Sequence, residues 1–489
     1  MAPHSLRSTA RRLILWLRLP GANRLLRVRG AALVAAVLWA SVADASPLLA
    51  PSPGGPVFVG PTSAHVTSIF YNPAAAGLMQ GTHLLITGSM RLERDSVERA
   101  TISSADGEPT AGGDRSFTAT SATGFTPAGF LGVTSDLSSE SVTLGLALST
   151  PFAQRLPSYD ESLGYHALSG SLYGPAITVA VSYRVSRQLY GGIGASLIFP
   201  KLDAAFFRDV NLDNCGAPPC NIEDPAARQR WTIQSHWQAL PGYSFETIGG
   251  LNLGGLYRIG DWWLGLGIDF LFLGEAAKVA DVVIVDPDGT TVTTRARVKY
   301  ALPQLVHFGV RRPAFSTFEL LINASYARTS NHDRIDVRLV DAPDDIPEWV
   351  VRHRGFSDTV AVEVGLEQPP ASRTRLGARL RFESSAVTST KVSVAQIDAP
   401  EAELAGGAEL RLSTSMALIA GVSISLMLPV DSEPSAFSPS ASIDCTGAGF
   451  DLAVPACETA RQGLATPTAA GSYGRLTGQL SLGFTYDWW

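Results

Sequence analysis

The side chains best able to do chemistry lie in the second half of the chain. Glu363, Glu367, Arg375, Arg379, Arg381, Glu383, Glu403, Glu409, Arg411 and Arg475 stand at even spacings within their segments, so in extended chain each group shares one face. A guanidinium can fork onto a neighbouring carboxylate, or it can hold the carboxylate of a bound solute by the same paired hydrogen bonds. The spacing leaves both roles open, with Arg379 and Arg381 as the candidates for an anionic head group. Hydrolytic chemistry has weaker support. His332 and Asp333 are adjacent in a polar loop, where neighbours in extended chain point to opposite sides, and no serine motif accompanies them. GGIGAS, Gly191 to Ser196, is no phosphate loop, because its glycines fall inside a strand pattern. The four cysteines form two local pairs, Cys215 with Cys220 and Cys445 with Cys457. No histidine lies near them in sequence, so they read as loop disulfides of an exported protein and not as a metal site. Neither a metal nor another cofactor is expected, and the chain is read as a non-enzyme.

These residues sit on elements with a period of two. In GRLTGQLSLGFTYDWW the residues Leu476, Leu480, Leu482, Phe484, Tyr486 and Trp488 occupy one face, with Arg475, Thr477, Gln479, Ser481, Thr485 and Asp487 on the other. That alternation is a strand with one apolar and one polar side. It recurs around Tyr173 to Tyr183, Trp262 to Phe272 and Met416 to Leu428. From about residue 82 onward roughly fourteen such segments follow, joined alternately by tight turns and long polar loops, as in an outer-membrane barrel. Charged residues make up only 17% of the chain and the mean hydropathy is +0.13, against about 25% charged in a soluble domain. A net charge of −6 gives no case for nucleic-acid binding.

Residues 1–45 read as a signal peptide: an arginine-rich start, the apolar run Ala31 to Ala40, and Ala43-Asp44-Ala45 as the cleavage site. Beyond them no run approaches the roughly twenty apolar residues of a spanning helix. A closed barrel is then the membrane-spanning option left, since only helices and barrels satisfy every backbone group in lipid. In that setting an arginine facing lipid costs about 2–4 kcal/mol at mid-bilayer, so the charged face must look into the lumen. The expected fold is all-β, a transmembrane antiparallel barrel of about fourteen strands over 82–489.

One stretch does not alternate. SIFYNPAAAGLMQG, Ser68 to Gly81, carries two aromatics, an Asn-Pro turn signal and then small residues, directly ahead of the first strand. With GPVFVGPTSAHVTSIFYNPAAAGL, Gly55 to Leu78, it resembles the long-chain fatty-acid transporter (FadL-type) family of outer-membrane proteins, whose N-terminal hatch bears an Asn-Pro-Ala sequence matched here by Asn72, Pro73 and Ala74. ALPQLVHFGVRR, Ala301 to Arg312, is a second echo. The resemblance implies that residues 46–81 fold inside the barrel as a hatch. It also implies passive uptake of a hydrophobic small molecule, a long-chain fatty acid or related hydrocarbon, with sideways exit into the bilayer of a Gram-negative outer membrane. Expected partners are that ligand, outer-membrane lipids and the barrel-assembly machinery. Sideways exit needs a defect in the wall, and prolines supply candidates because they remove a ladder donor. Pro127, Pro151 and Pro303 qualify, and Gly145 with Pro151 in the third strand is the favoured kink. A polar-solute porin, a secretion accessory and a surface receptor are the alternatives.

Overall fold

The computed structural model describes residues 49, 52–101, 116–210, 223–236, 247–271, 275–315, 317–340, 346, 348–370, 373–437, 453, 455 and 466–488. The expected signal peptide and the four cysteines lie outside these residues.

The alternating segments fold as strands whose large apolar side chains point outward. In Gly471–Trp488 the outer face carries Leu476, Leu480, Leu482 and Trp488, while Tyr473, Thr477 and Ser481 are buried. In Met416–Met427 the outer face carries Leu418, Val422, Ile424 and Leu426, and Ala417 and Ser425 turn inward. This inverts the pattern of a soluble protein. Leu482 is 61% exposed and Ser481 is 3% exposed, an arrangement stable only where the exterior is lipid.

The sheet closes on itself. Strand β1 (Thr82–Thr101) pairs along its length with β2 (Ser116–Ser135) on one edge and with Gly471–Trp488 on the other. The result is a closed antiparallel barrel of fourteen staves. Among the described residues seven staves each consist of two strands, and six of the junctions between those strands form a continuous row. The junctions lie between 198 and 201, 235 and 248, 271 and 275, 301 and 304, 328 and 334, and 353 and 359, and the registers on either side place each beside the next. Pro200 and Pro303 lie in this row and Pro429 in the seventh break, where a missing N–H stops the ladder.

The row divides the wall into a lower tier facing lipid and an upper tier with its own apolar core. Trp231, Ile233, Val282, Ile284, Val298, Val337 and Leu339 turn inward there, joined by Val394 and Ile397 from the connection between Thr374–Glu383 and Glu401–Arg411.

Residues 52–80 run inside the lower tier. Val57, Phe58, Ile69, Ala74 and Ala75 are each at most 1% exposed. The lumen face accepts them because it is glycine-rich: Gly192 and Gly254 lie against Ala74 and Asn72, Gly265 against Pro61, and Gly267 against Tyr71. A β-carbon at any of these would strike the backbone or side chain of the enclosed segment.

Candidate functional site

The enclosed segment is held by two clasps. In the first, Asn72 Nδ2 donates to Pro61 O at 2.7 Å and to Gly255 O at 3.0 Å, and Asn72 Oδ1 accepts from Ala74 N at 3.1 Å. The side chain thus caps the 3-10 turn Pro73–Leu78, pins it to an earlier loop, and ties it to the wall stave at Gly255. Pro73 occupies the turn's first position, where no donor is needed. Ala74 O accepts from Ser182 Oγ of β4 (Ser169–Arg184) at 3.0 Å.

The second clasp is ionic. Glu367 Oε1 accepts from Phe58 N at 2.8 Å and from Arg379 Nε at 2.8 Å, and its other oxygen accepts from Arg375 at 3.2 Å. Arg379 also donates to Glu363 at 2.8 Å and to Val59 O at 2.6 Å. Arg375 donates to Gln368 O at 2.7 Å and lies 4.3 Å from the Phe58 ring. Every nitrogen of Arg379 therefore has a partner. Arg381 contacts Glu383 and lines, with Glu363, Glu401, Glu403 and Tyr71, a cavity of about 150 Å³ above the segment.

The wall is incomplete beside that cavity. β3 (Val142–Leu156) pairs with β2 only from Ser135–Leu144 to Phe130–Ser149. Its register against β4 then shifts between Ser149 and Phe152, leaving Thr150 and Pro151 outside the ladder. Thr150 Oγ1 accepts from Gly129 N at 3.0 Å as a last tie to β2. Above it, β2 keeps its pairing with β1 alone. A cleft of about 400 Å³ lies there, lined by Thr123, Phe125, Arg155 and Pro157. A second, smaller cavity shares Phe70, Pro151 and Leu305 with the first and adds Phe152, Ile198 and Pro303. Of the two expected kink residues, Pro151 lies at the break. Gly145 lies within the continuous ladder instead, opposite Thr134 and Ala180, with Ile69 packed over it. Its lack of a side chain admits the enclosed segment. Pro127 falls in the part of β2 without a second partner.

A further site has no counterpart among the residues singled out by spacing. In the upper tier a cavity of about 60 Å³ is walled by Leu172, Phe206, Ile233 and Val337 and reached by Arg352 and Arg354. Arg352 donates to Tyr165 O at 3.4 Å and His166 O at 2.5 Å, and sits 4.3 Å from the Phe206 ring. Arg354 donates to Ala395 O at 2.5 Å. Neither forms an ion pair among the described residues. The carboxylate of Asp203, also on the wall, is held by Lys201 at 2.8 Å. Burial lowers the Arg354 guanidinium to about 10, so it stays charged at neutral pH. His166 and His332 border the same cavity, and burial depresses both imidazoles far below neutrality. His332 Nδ1 is bonded to Ala301 O at 2.6 Å and its ring stacks on Phe356. Asp333 faces His353, 3.8 Å away. The adjacent pair thus serves two separate contacts. Two cations, apolar walls and neutral histidines, with the Asp203 carboxylate held by Lys201, give the cavity a chemistry that suits an anion. Sequence spacing could not reveal it, because the carbonyls that orient the arginines come from residues 165–166 and 395.

No family model matches the chain, and no curated protein matches it. Solved structures do. A Pseudomonas aeruginosa FadL homologue superposes with a TM-score of 0.67 at 13% identity, covering 90% of this chain and 100% of that one. The P. putida toluene transporter TodX gives 0.57 at 10%, covering 90% and 96%, and the Ralstonia pickettii toluene transporter TbuX gives 0.54 at 11%, covering 88% and 98%. The fold of this chain is that of the FadL-type outer-membrane barrels.

Proposed function

We propose that the protein takes up a hydrophobic small molecule with an acidic head group and releases it sideways into the bilayer of a Gram-negative outer membrane. The observation that carries this reading is the wall break at Pro151. There the β2–β3 ladder ends beside the lumen cavities, while below them residues 52–80 are bonded to the wall on several staves. A ligand held above the enclosed segment finds its nearest gap in the wall, not in the floor. The fold neighbours, described as a FadL homologue and toluene transporters, agree with a hydrophobic cargo.

In this reading residues 46–81 are a hatch turned by Asn72, Pro73 and Ala74, and 82–489 the barrel, inserted by the barrel-assembly machinery after removal of residues 1–45. The cysteine pairs 215–220 and 445–457 brace external loops. Arg352 and Arg354 receive the acidic head first, which favours a fatty acid over a neutral hydrocarbon. Arg381 borders the deeper cavity and is the next cation on the path. Arg379 serves the clasp, and no catalytic role is assigned.

The test is to weld the gap. Cysteines in place of Gly129 and Thr150, already joined by a hydrogen bond, should form a bond that blocks uptake of labelled oleate until reductant is added. Unchanged oleate uptake in the oxidised variant would refute lateral exit. Free passage of small sugars by the wild type, with exclusion of oleate and toluene, would favour a polar-solute porin.

A further inference from the structure

We infer that the outward face of the upper tier binds the phosphorylated head group of an outer-leaflet glycolipid. This rests on the barrel lying in an outer membrane, though not on what it transports. On the strand Thr291–Ala301 the outward residues Arg295, Arg297 and Lys299 are all exposed, and none forms an ion pair among the described residues. The neighbouring strand Arg334–Leu339 adds Arg334 and Arg338 to the same face, and the register sets Arg297 directly opposite Arg338. Like charges directly opposite across a ladder destabilise it, unless an anion lies between them. The carboxylates on this surface are already engaged. Asp281, opposite Arg295, is bonded to His236 at 2.7 Å, Asp336, opposite Lys299, lies 3.4 Å from Arg334, and Glu348 is bonded to Arg338 at 2.8 Å. Five cations thus face three carboxylates.

The height of the patch names the partner. At the lower end of this stave the Arg312 guanidinium lies 4.6 Å over the Trp262 ring, an aromatic-and-basic pairing typical of a membrane interface. A transmembrane strand uses about 9–11 residues, which counted upward from Arg312 ends near the break at 302–303. Lys299 therefore stands just above the hydrocarbon edge, with Arg297 and Arg295 higher by about 7 Å of strand each. Beneath them Phe308 is 45% exposed and Tyr326 is 37% exposed, a surface for acyl chains. A row of bare cations over an apolar wall matches an amphiphile with phosphates on its head. A soluble phosphate would use the cations and ignore the wall.

The experiment is native mass spectrometry of the purified full chain in detergent, titrated with lipopolysaccharide, with the same lipid after phosphatase treatment, and with inorganic phosphate as competitor. The wild type should bind intact lipopolysaccharide. The variant Arg295→Gln, Arg297→Gln, Lys299→Gln should bind at least tenfold more weakly, and phosphatase treatment should cost the wild type as much. Heat-modifiable gel mobility checks that the variant remains a folded barrel, and Arg297→Gln alone serves if the triple variant is not. Equal binding by a folded variant would overturn the inference. Displacement of the lipid by an equimolar amount of inorganic phosphate would also overturn it, because the site would then read phosphate without the lipid. Oleate uptake measured on the same variants separates this inference from the transport reading, since either can fail while the other stands.

Discussion

Two groups of arginines, one buried and one half-buried, are matched in opposite ways in this barrel. Around the enclosed segment, Arg375 and Arg379 are matched by Glu363, Glu367 and Glu409, and the network closes on the backbone of Phe58 and Val59. In the upper tier Arg352 and Arg354 meet carbonyl oxygens and aromatic rings, with no carboxylate partner among the described residues. A balanced buried pair is weak evidence of stabilisation but a strong constraint on geometry, because breaking it strands a charge. An unbalanced, half-buried cation can still take an anion as its partner. The difference is that between a fastening and the proposed binding site.

The sharpest way to break this comparison is to remove the carboxylate that both lower arginines share. Glu367→Gln leaves Arg375 and Arg379 facing a neutral amide, while Glu367→Ala also strips the partner from Phe58 N. Loss of one member of a buried pair costs about 3–5 kcal/mol. Glu367→Ala should therefore lower the midpoint of urea unfolding in liposomes more than Arg354→Ala or Asn72→Ala does, with the glutamine variant intermediate. A variant unfolding at the wild-type midpoint would mean that the clasp is incidental.

The upper arginines should behave in reverse. Arg354→Ala removes a charge with no ionic partner among the described residues, so the barrel should lose little stability. Oleate binding should weaken by about tenfold to a hundredfold, taking about 1.5–3 kcal/mol for a charged hydrogen bond. Toluene binding, measured by the same fluorescence displacement, should not change. Arg379→Ala should show the opposite profile, with a clear loss of stability. If both variants lose oleate and toluene equally, the distinction between fastening and site disappears.

Much of the barrel was legible because a lipid exterior forces a strict code. Leu476, Leu480 and Leu482 had to alternate with polar residues, and the charged face of 363–411 had to look inward. The pairing of that face was legible only as one of two options, since spacing along a strand does not say which carboxylate crosses to which guanidinium. The glycines misled for a related reason. Gly145 reads as a flexible point, yet its missing side chain makes room for Ile69, a residue 76 positions earlier. The division into two tiers was hidden as well. A junction such as that at Pro200 or Pro303 gains meaning only when the strands of neighbouring staves end at the same level.

The finest comparison lies within the lower region, between the ionic clasp and Asn72. Asn72→Ala removes the cap on Ala74 N and both donors, to Pro61 O and Gly255 O, but leaves Glu367, Arg375 and Arg379 intact. Loss of a capping side chain costs about 1 kcal/mol, and the two freed carbonyls add a comparable penalty where water cannot reach them. The global unfolding midpoint should shift only slightly. The local effect should be larger, because packing and the Ser182 hydrogen bond would then be what holds Ala74 to the wall among the described residues. A single cysteine at Ala75, a fully buried position, should label slowly from either side of the membrane in the wild type. In the Asn72→Ala background the same cysteine should label several-fold faster, while Glu367→Ala should affect it less than it affects the end near Phe58. Equal acceleration at both ends by either substitution would show that the enclosed segment moves as one rigid body, and the two clasps would then be one.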